Sequence, residues 1–409
     1  MTAAWFPPTG ERKSRCVAWP AMLEVLTIFT RLGLTSFGGP TAHLGYFRDE
    51  FVDKRQWMTD EEYADLVALC QFMPGPASSQ VGMAIGYKRA GYAGMLAAWL
   101  GFTLPSVMLM VAFALGVAQL GDISGAGWLA GLKAAAVAVV AQAVVGMSGS
   151  IVTDGKRAGI ALAAFIAVLL VTNPFTQVAV IALGMVAGAV MFGDTRAPVG
   201  TKHAAPARAR TMGTAALVAF AGLLVALPAA ATAAQSTVAD MFSSFYRAGA
   251  LVFGGGHVVL PLLEQATVPA GLVDHDTFLA GYGAAQAVPG PLFTFAAFLG
   301  ASASGVSWWW GAIVATVAIF LPAALLVVGV MPFWDQLHEH PLAASALSGA
   351  NAAVVGILAA ALYDPVFTAG ITGTGTLAVA AAAFVALRKW KTPPWAVVVA
   401  AAAAGAVAL

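Results

Sequence analysis

Glycine and proline interrupt this chain inside its most apolar segments, and they do so at matching places in two halves. Phe37-Gly38-Gly39-Pro40-Thr41-Ala42-His43 and Gln71-Phe72-Met73-Pro74-Gly75-Pro76 stand in the first half. Phe253-Gly254-Gly255-Gly256-His257 and Gln286-Ala287-Val288-Pro289-Gly290-Pro291 repeat them in the second. Hydrocarbon offers no partner to a freed backbone N–H or C=O, so a break at that depth must be buried in protein or line a cavity. Broken helices at corresponding places in two halves point to the substrate site of a transporter.

The chain is 60% hydrophobic and 10% charged, against roughly 25% charged residues in soluble domains. Its apolar runs are long enough to cross a bilayer, which makes it an all-α polytopic membrane protein. A net charge of +1 and the lack of any basic groove argue against nucleic acid. Cys16 and Cys70 have no spacing that suggests a metal site or a disulfide framework. The apolar stretch after Arg12, Lys13 and Arg15 is interrupted by Glu24 and Arg31, so no cleaved leader is expected.

Read in order, 1–20 is a tail and 20–36 a helix that ends at the first break. A second, amphipathic helix is expected over 43–54. Thr59 and Glu62 form a capping box that opens a third, and 77–89 makes a fourth after Pro74-Gly75-Pro76. That fourth piece is roughly 20 Å long, short of a hydrocarbon core of about 30 Å. A hairpin over 60–90 keeps Lys54, Arg55, Lys88 and Arg89 on one side, whereas a single kinked span would separate them. The hairpin is therefore the preferred reading. Crossings are expected at 92–118, 128–152, 158–172, 175–192, 214–230, 308–330, 342–362 and 366–387.

The halves align at a nearly constant offset. Arg31, Gly33 and Phe37 match Arg247, Gly249 and Phe253 at 216 residues, and Gln71 with Pro74-Gly75-Pro76 matches its counterpart at 215. Repeat one is placed at 21–193 and repeat two at 238–409, joined by a basic linker, 194–213, and one extra span, 214–230. Loops 44–60 and 87–90 hold Arg48, Lys54, Arg55, Lys88 and Arg89, while the counterparts 258–277 and 302–308 hold no Lys or Arg. By the positive-inside rule the repeats are inverted, the N-terminus is cytoplasmic, and each repeat carries two re-entrant hairpins and about four spanning helices.

Half-helices that begin near mid-membrane present unpaired N–H groups and a partial positive charge, an anion site made from backbone alone. Gly38, Gly39, Gly75, Gly254, Gly255 and Gly290 remove the Cβ that would hold a ligand away. Ser78, Ser79 and Gln80, with Thr294 opposite, add polar groups, and Gln71 and Gln286 precede the two turns. Arg31 and Arg247 each lie about 9 Å before a break. An arginine at that depth faces a cavity, an anion or an acidic partner, and Glu24 is the acidic alternative for Arg31. Lys133 lies mid-span with Asn351 at its mirror position. His43 and His257 follow the breaks, out of strict register, as packing residues or as titratable groups near the substrate. Asp274 and Asp276 read as helix caps without chemistry. Packing and kinking are the plain explanation of any single break; four in register favour a site.

With these motifs the chain resembles the chromate ion transporter family in its long, two-domain form. The resemblance rests on Phe37-Gly38-Gly39-Pro40-x-x-His43, the neighbourhood of 57–61, Gln71-x-x-Pro74-Gly75-Pro76 with Gly82 and Gly86, and the second-half motifs. It implies a bacterial inner-membrane protein that exports chromate and confers chromate resistance, sulfate or another oxyanion being the alternative substrate. The residues themselves reach only a site suited to a divalent tetrahedral oxyanion. No cofactor, metal or enzyme activity is expected: the acidic candidates Asp49-Glu50 and Asp60-Glu61-Glu62 lie amid basic residues or in a helix cap, and His338-Glu339-His340 lacks the His-Glu-x-x-His spacing and falls in a loop. An anion channel is the rival function. The expected surroundings are a lipid bilayer, and the oligomeric state stays open between monomer and homodimer.

Overall fold

A computed structural model of the chain describes residues 15–37, 39–120, 125–171, 176–192, 207–253, 256–333 and 341–409. Among the described residues every regular element is helical. Helix α1 (Arg15–Thr35) is apolar but carries Thr27, Thr30 and Thr35, whose hydroxyls donate to carbonyls one turn back and so cost nothing unpaired. It stops at Ser36, and α2 (Gly39–Arg48) begins at once, four residues before the expected start. Pro40 explains the difference: in a first turn its missing N–H is not needed. Past Arg48 the helix widens into a turn of π-type over Asp49–Lys54.

Helix α3 (Asp60–Phe72) opens with the expected capping box, the Glu62 N–H donating to Thr59 Oγ1 and the Thr59 N–H to Glu62 Oε2. After the Pro-Gly-Pro turn, α4 (Ala77–Leu120) is divided by non-helical backbone at Ala90 and Gly91 into limbs 77–89 and 92–120. Lys88 Nζ lies 2.8 Å from Glu62 Oε2, joining the end of the first limb to the start of α3. The stretch 60–90 is therefore a hairpin and not one kinked helix. Arg55 and Arg89 both reach Glu24 near the start of α1, at 3.4 and 2.8 Å, so both hairpins of repeat one return to the same face.

Helices α5 (Gly127–Ile151), α6 (Gly155–Leu170) and α7 (Thr176–Met191) complete repeat one, and α8 (Ala207–Ala234) is the extra span. Asp154 caps α6, and the backbone N–H and side chain of Arg157 hold its carboxyl below the usual carboxylate range. Repeat two runs through α9 (Thr237–Leu251), α10 (Val259–Thr267), α11 (His275–Ala287), α12 (Phe295–Ser302), α13 (Trp308–Val330) and α14 (Pro341–Ala361). The Ser304 N–H donates to the Leu272 carbonyl at 2.8 Å, closing the α11–α12 hairpin as Lys88 closes its mirror. The C-terminal end departs from expectation. In place of one crossing at 366–387, a wide turn over Leu362–Phe367 precedes α15 (Thr374–Arg388), and a further apolar helix, α16 (Pro394–Ala408), follows. Gly373 breaks the run that hydropathy alone reads as continuous.

The repeats exchange partners. Helix α1 packs on α4 and α9 on α13 within each half, but α5 packs on α15 and α16, while α14 packs on α6 and α7. Small residues allow this close approach: a Cβ at Gly131 of α5 would collide with the Ala401 carbonyl of α16, and one at Gly349 of α14 with the Gly184 carbonyl of α7. The outside is apolar. Leu170, Leu183, Val190 and Val225 are all more than 65% exposed, a surface suited to lipid and not to water. Among the described residues, five helices are long and apolar enough to cross a membrane. Exposed tryptophans sit at the start of α13 (Trp308, Trp309, Trp310) and beside Arg388 and Lys389 at the end of α15 (Trp390), as at membrane–water interfaces.

The exchanged packing gives a prediction with an internal control on one helix. Gly131→Val should sharply lower the yield of monodisperse, detergent-solubilised protein. Gly146→Val, with nothing within 4 Å of its Cβ position, should leave the yield near wild type. Size-exclusion profiles of the two variants check this; equal yields would contradict the α5–α16 contact.

Candidate functional site

The two Pro-Gly-Pro turns do not finish their own repeats; each is seated on the broken helix of the other. The Gly75 N–H donates to the Val252 carbonyl at the end of α9, at 2.7 Å, and the Gly290 N–H donates to the Ser36 carbonyl at the end of α1, at 2.9 Å. Both glycines have positive φ, +118° and +91°, a region that other residues enter only with strain. Each bond supplies a partner to a helix-terminal carbonyl that has none inside its helix.

The Ser36 carbonyl accepts a second bond, from His43 Nε2 at 3.2 Å. A carbonyl only accepts, so the ring proton lies on Nε2; Nδ1 then takes the Ser78 hydroxyl proton across 3.3 Å. His43 is fully buried and meets Phe102 edge-on with ring centroids 5.2 Å apart. One imidazole thus ties together α1, α2, α4 and, through Ser36, the Gly290 turn. Ser106 of α4 adds a hydroxyl bond of 2.5 Å to the Pro289 carbonyl.

This centre is not symmetric. At mirrored positions, Ser36, Ser78, Gln80, Thr103 and Ser106 of repeat one become Val252, Phe293, Phe295, Phe320 and Ala323 of repeat two. The three phenylalanines are buried, and Phe293 and Phe320 pack with centroids 6.0 Å apart. Repeat one keeps the polar half. Among the described residues, Ser36 Oγ, Ser79 Oγ, Gln80 Oε1 and Thr103 Oγ1 are buried there with no hydrogen-bond partner. An unpaired buried polar atom costs about 1–3 kcal/mol, so four in repeat one, at the α1–α2 break (Ser36), just after the Pro-Gly-Pro turn (Ser79, Gln80) and on the second limb of α4 (Thr103), point to a polar guest. Gln80 Nε2, in contrast, is held by the Pro74 carbonyl at 2.8 Å.

The other expected site residues separate into groups. Ser79 joins the polar half, while Gly75, Gly290, His43 and Ser78 already have the partners described above. Thr294, the mirror of Ser79, is buried with its hydroxyl on the Pro291 carbonyl at 2.9 Å. Gly39 opens α2 at φ +77°. Gln71 is exposed, and Gln286 is half-buried beside Tyr282. Gly38, Gly254 and Gly255, and the side chain of His257, lie outside the described residues, as do His338, Glu339 and His340.

The charged candidates diverge most. Arg31 lies 2.5 Å from Glu50, not on Glu24, and Glu50 is also held by Arg55 at 2.7 Å. Glu50 is nearly fully buried, so this pair joins the first helix of its hairpin to the second. The mirror of Glu50 falls at Gln265–Ala266, where there is no carboxylate. Arg247 accordingly lines a small cavity with Ser244, Gln177 and Gln265. Lys133 is buried on α5 with its Nζ 2.5 Å from Asp276, and Asn351 is half-buried on α14. Asp274 caps α11 through the Thr277 N–H as expected, whereas Asp276 is the counter-ion of Lys133.

Sequence reasoning passed over Ser36, Thr103 and Ser106, set Glu50 aside as part of an acidic pair, and read Asp276 only as a cap. The polar residues were detectable by comparing the halves position by position, because a hydroxyl facing a mirrored Val, Phe or Ala marks the non-equivalent side.

Against this geometry, the family model described as Chromate transporter matches the chain twice, at residues 23–190 and 239–406. The chain belongs to the chromate transporter family. It is 30% identical over 351 residues to a chromate transport protein of Pseudomonas aeruginosa, covering 83% of this chain and 80% of that one. It is 27% identical over 344 residues to a chromate transport protein of Cupriavidus metallidurans, covering 83% and 81%. A probable chromate transport protein of Synechococcus elongatus is 27% identical over 368 residues, covering 84% of each. No solved structure matches.

Ser106 allows a test of the cross-seated turn. Ser106→Ala leaves the Pro289 carbonyl unpaired in a buried setting and should destabilise the protein by about 1–3 kcal/mol. Thermal unfolding in detergent, followed by intrinsic fluorescence, should show a lowered midpoint for Ser106→Ala; an unchanged midpoint would remove the hydroxyl from the account.

Proposed function

We propose that this family member carries chromate outward across the inner membrane by alternating access, with its N-terminus in the cytoplasm, and thereby confers chromate resistance. The observation that carries the reading is the meeting of two inverted repeats at their helix breaks, with buried unpartnered hydroxyls on one side. Rocking of one repeat against the other would exchange the access of that centre between the two membrane faces.

The anion is recognised mainly by dipoles. The N-terminus of the 77–89 limb contributes its partial positive charge, and Ser36, Ser79 and Thr103 contribute hydroxyl donors. Gly39 and the neighbouring glycines of the breaks allow the backbone to approach. Arg247 supplies the full charge: its mirror Arg31 is neutralised by Glu50, but Arg247 has no carboxylate at the corresponding place. A tetrahedral dianion fits these donors, and chromate is the choice that family membership supports over sulfate. Moving a dianion out of a negative interior is favoured by about 4.6 kcal/mol per 100 mV, twice the single-charge value, so the potential alone is able to drive export.

Sealed inside-out vesicles under an imposed potential test this. Wild type should accumulate chromate saturably, and accumulation should collapse with the potential. Arg247→Ala should reduce uptake at least about tenfold, equivalent to 1.4 kcal/mol. Arg31→Ala should have the smaller effect, because its charge is already committed to Glu50. Saturable sulfate uptake that chromate does not inhibit would replace the substrate, and uptake that never saturates would favour a channel.

A further inference from the structure

The α10 end of repeat two borders a cavity of about 370 Å³. Glu264 of α10 and Asp364 of the wide turn Leu362–Phe367 both line it, together with Gln177 of α7. The two carboxylates interact electrostatically, and their like charges repel. The charged and titratable groups around them do not resolve that repulsion. His275 of α11 lies 3.9 Å from Glu264, too far for a hydrogen bond. Lys133 of α5 is committed to Asp276, and Asp274 to the cap of α11.

Gln177 is the second, independent observation. It is more than nine-tenths buried, its Nε2 reaches the Pro261 carbonyl at 3.4 Å, and its Oε1 has no partner. A metal ion would take up that oxygen together with the two carboxylates, since hard cations collect oxygen ligands, carboxylate and amide alike. Among the described residues no group of three or more acidic, histidine or cysteine side chains converges here or elsewhere. That falls short of the carboxylate-rich ligand sets of divalent sites, and a cavity of this size leaves room for water to complete a looser shell. Gln177 also lines the small cavity of Arg247, so the acidic site and the arginine share a wall.

We propose that this cavity is a binding site for an alkali-metal cation, with Glu264 and Asp364 as its charged ligands and the Gln177 amide oxygen as a neutral one. The site stands apart from the oxyanion reading: its occupancy needs no transport, and it holds even if the carried anion is not chromate.

The test uses the purified full-length protein without substrate. A hydrophobic carbodiimide modifies carboxyls in apolar clefts, and mass spectrometry reads its adducts at Glu264 and Asp364. Labelling is compared in choline, lithium, sodium, potassium, magnesium and calcium chlorides at one pH and one ionic strength. At ten times the dissociation constant only about one site in eleven is free, so the preferred alkali ion should slow labelling about tenfold relative to choline. Gln177→Ala should label as fast in choline but lose most of that protection. If neither carboxyl reacts in choline, the comparison is read as unfolding temperature, with an alkali-dependent rise expected in wild type and lost in Glu264→Gln or Asp364→Asn. The proposal is overturned if no alkali ion protects or stabilises, if only calcium or magnesium does, or if protection survives Gln177→Ala unchanged.

Discussion

Two backbone hydrogen bonds hold the middle of this protein together, Gly75 N–H to Val252 C=O and Gly290 N–H to Ser36 C=O. A helix that stops inside hydrocarbon leaves carbonyls that must be satisfied by protein. Here the partner comes from the opposite repeat, so neither half is complete alone at its centre. The exchange of α5 and α14 between halves extends the same dependence to the periphery. A fold built this way joins its two repeats through backbone at their helix breaks.

Charge is distributed unequally between the repeats. Repeat one carries its cations in pairs: Arg31 and Arg55 on Glu50, Arg89 on Glu24, Lys88 on Glu62. These ion pairs fasten the return ends of its two hairpins to one another, and removing one partner would leave the nearly buried Glu50 short of compensation. Among the described residues repeat two has a thinner network: its Asp276 pairs with Lys133 of repeat one, and Arg247 stands beside glutamine and serine. The same duplication has therefore yielded one half fastened by ion pairs and one half whose arginine at the mirrored position lines a small cavity. The hydroxyls show the reverse asymmetry: Ser36, Ser78, Thr103 and Ser106 of repeat one face Val252, Phe293, Phe320 and Ala323 in repeat two, and only Ser79 keeps a hydroxyl counterpart, Thr294.

Much of the architecture was legible in the residues. Paired breaks, a constant offset and the one-sided placement of Lys and Arg sufficed for two inverted repeats with an extra span, and the Thr59–Glu62 box located the start of α3 to the residue. The hairpin over 60–90 followed from keeping four basic residues on one side, and the Lys88–Glu62 pair is its physical counterpart. The C-terminal end was less legible. Hydropathy averages over Gly373, so the run at 366–387 read as one crossing, and the helix at Pro394–Ala408 went uncounted.

The sequence by itself determined the periodic and compositional facts: that the chain is a membrane protein, that it is duplicated and inverted, and where its helices break. These depend on local chemistry, the missing N–H of proline, the missing Cβ of glycine, and the cost of charge in lipid. Tertiary structure alone decided the partners. Nothing in the spacing of Arg31 chose Glu50 over Glu24, or sent Lys133 to Asp276 across 143 positions of chain. Nor did any local pattern reveal that the N–H groups of Gly75 and Gly290 are spent on the opposite repeat. Such pairings are settled by which helix ends meet in space, and that is fixed only when the two halves close on each other.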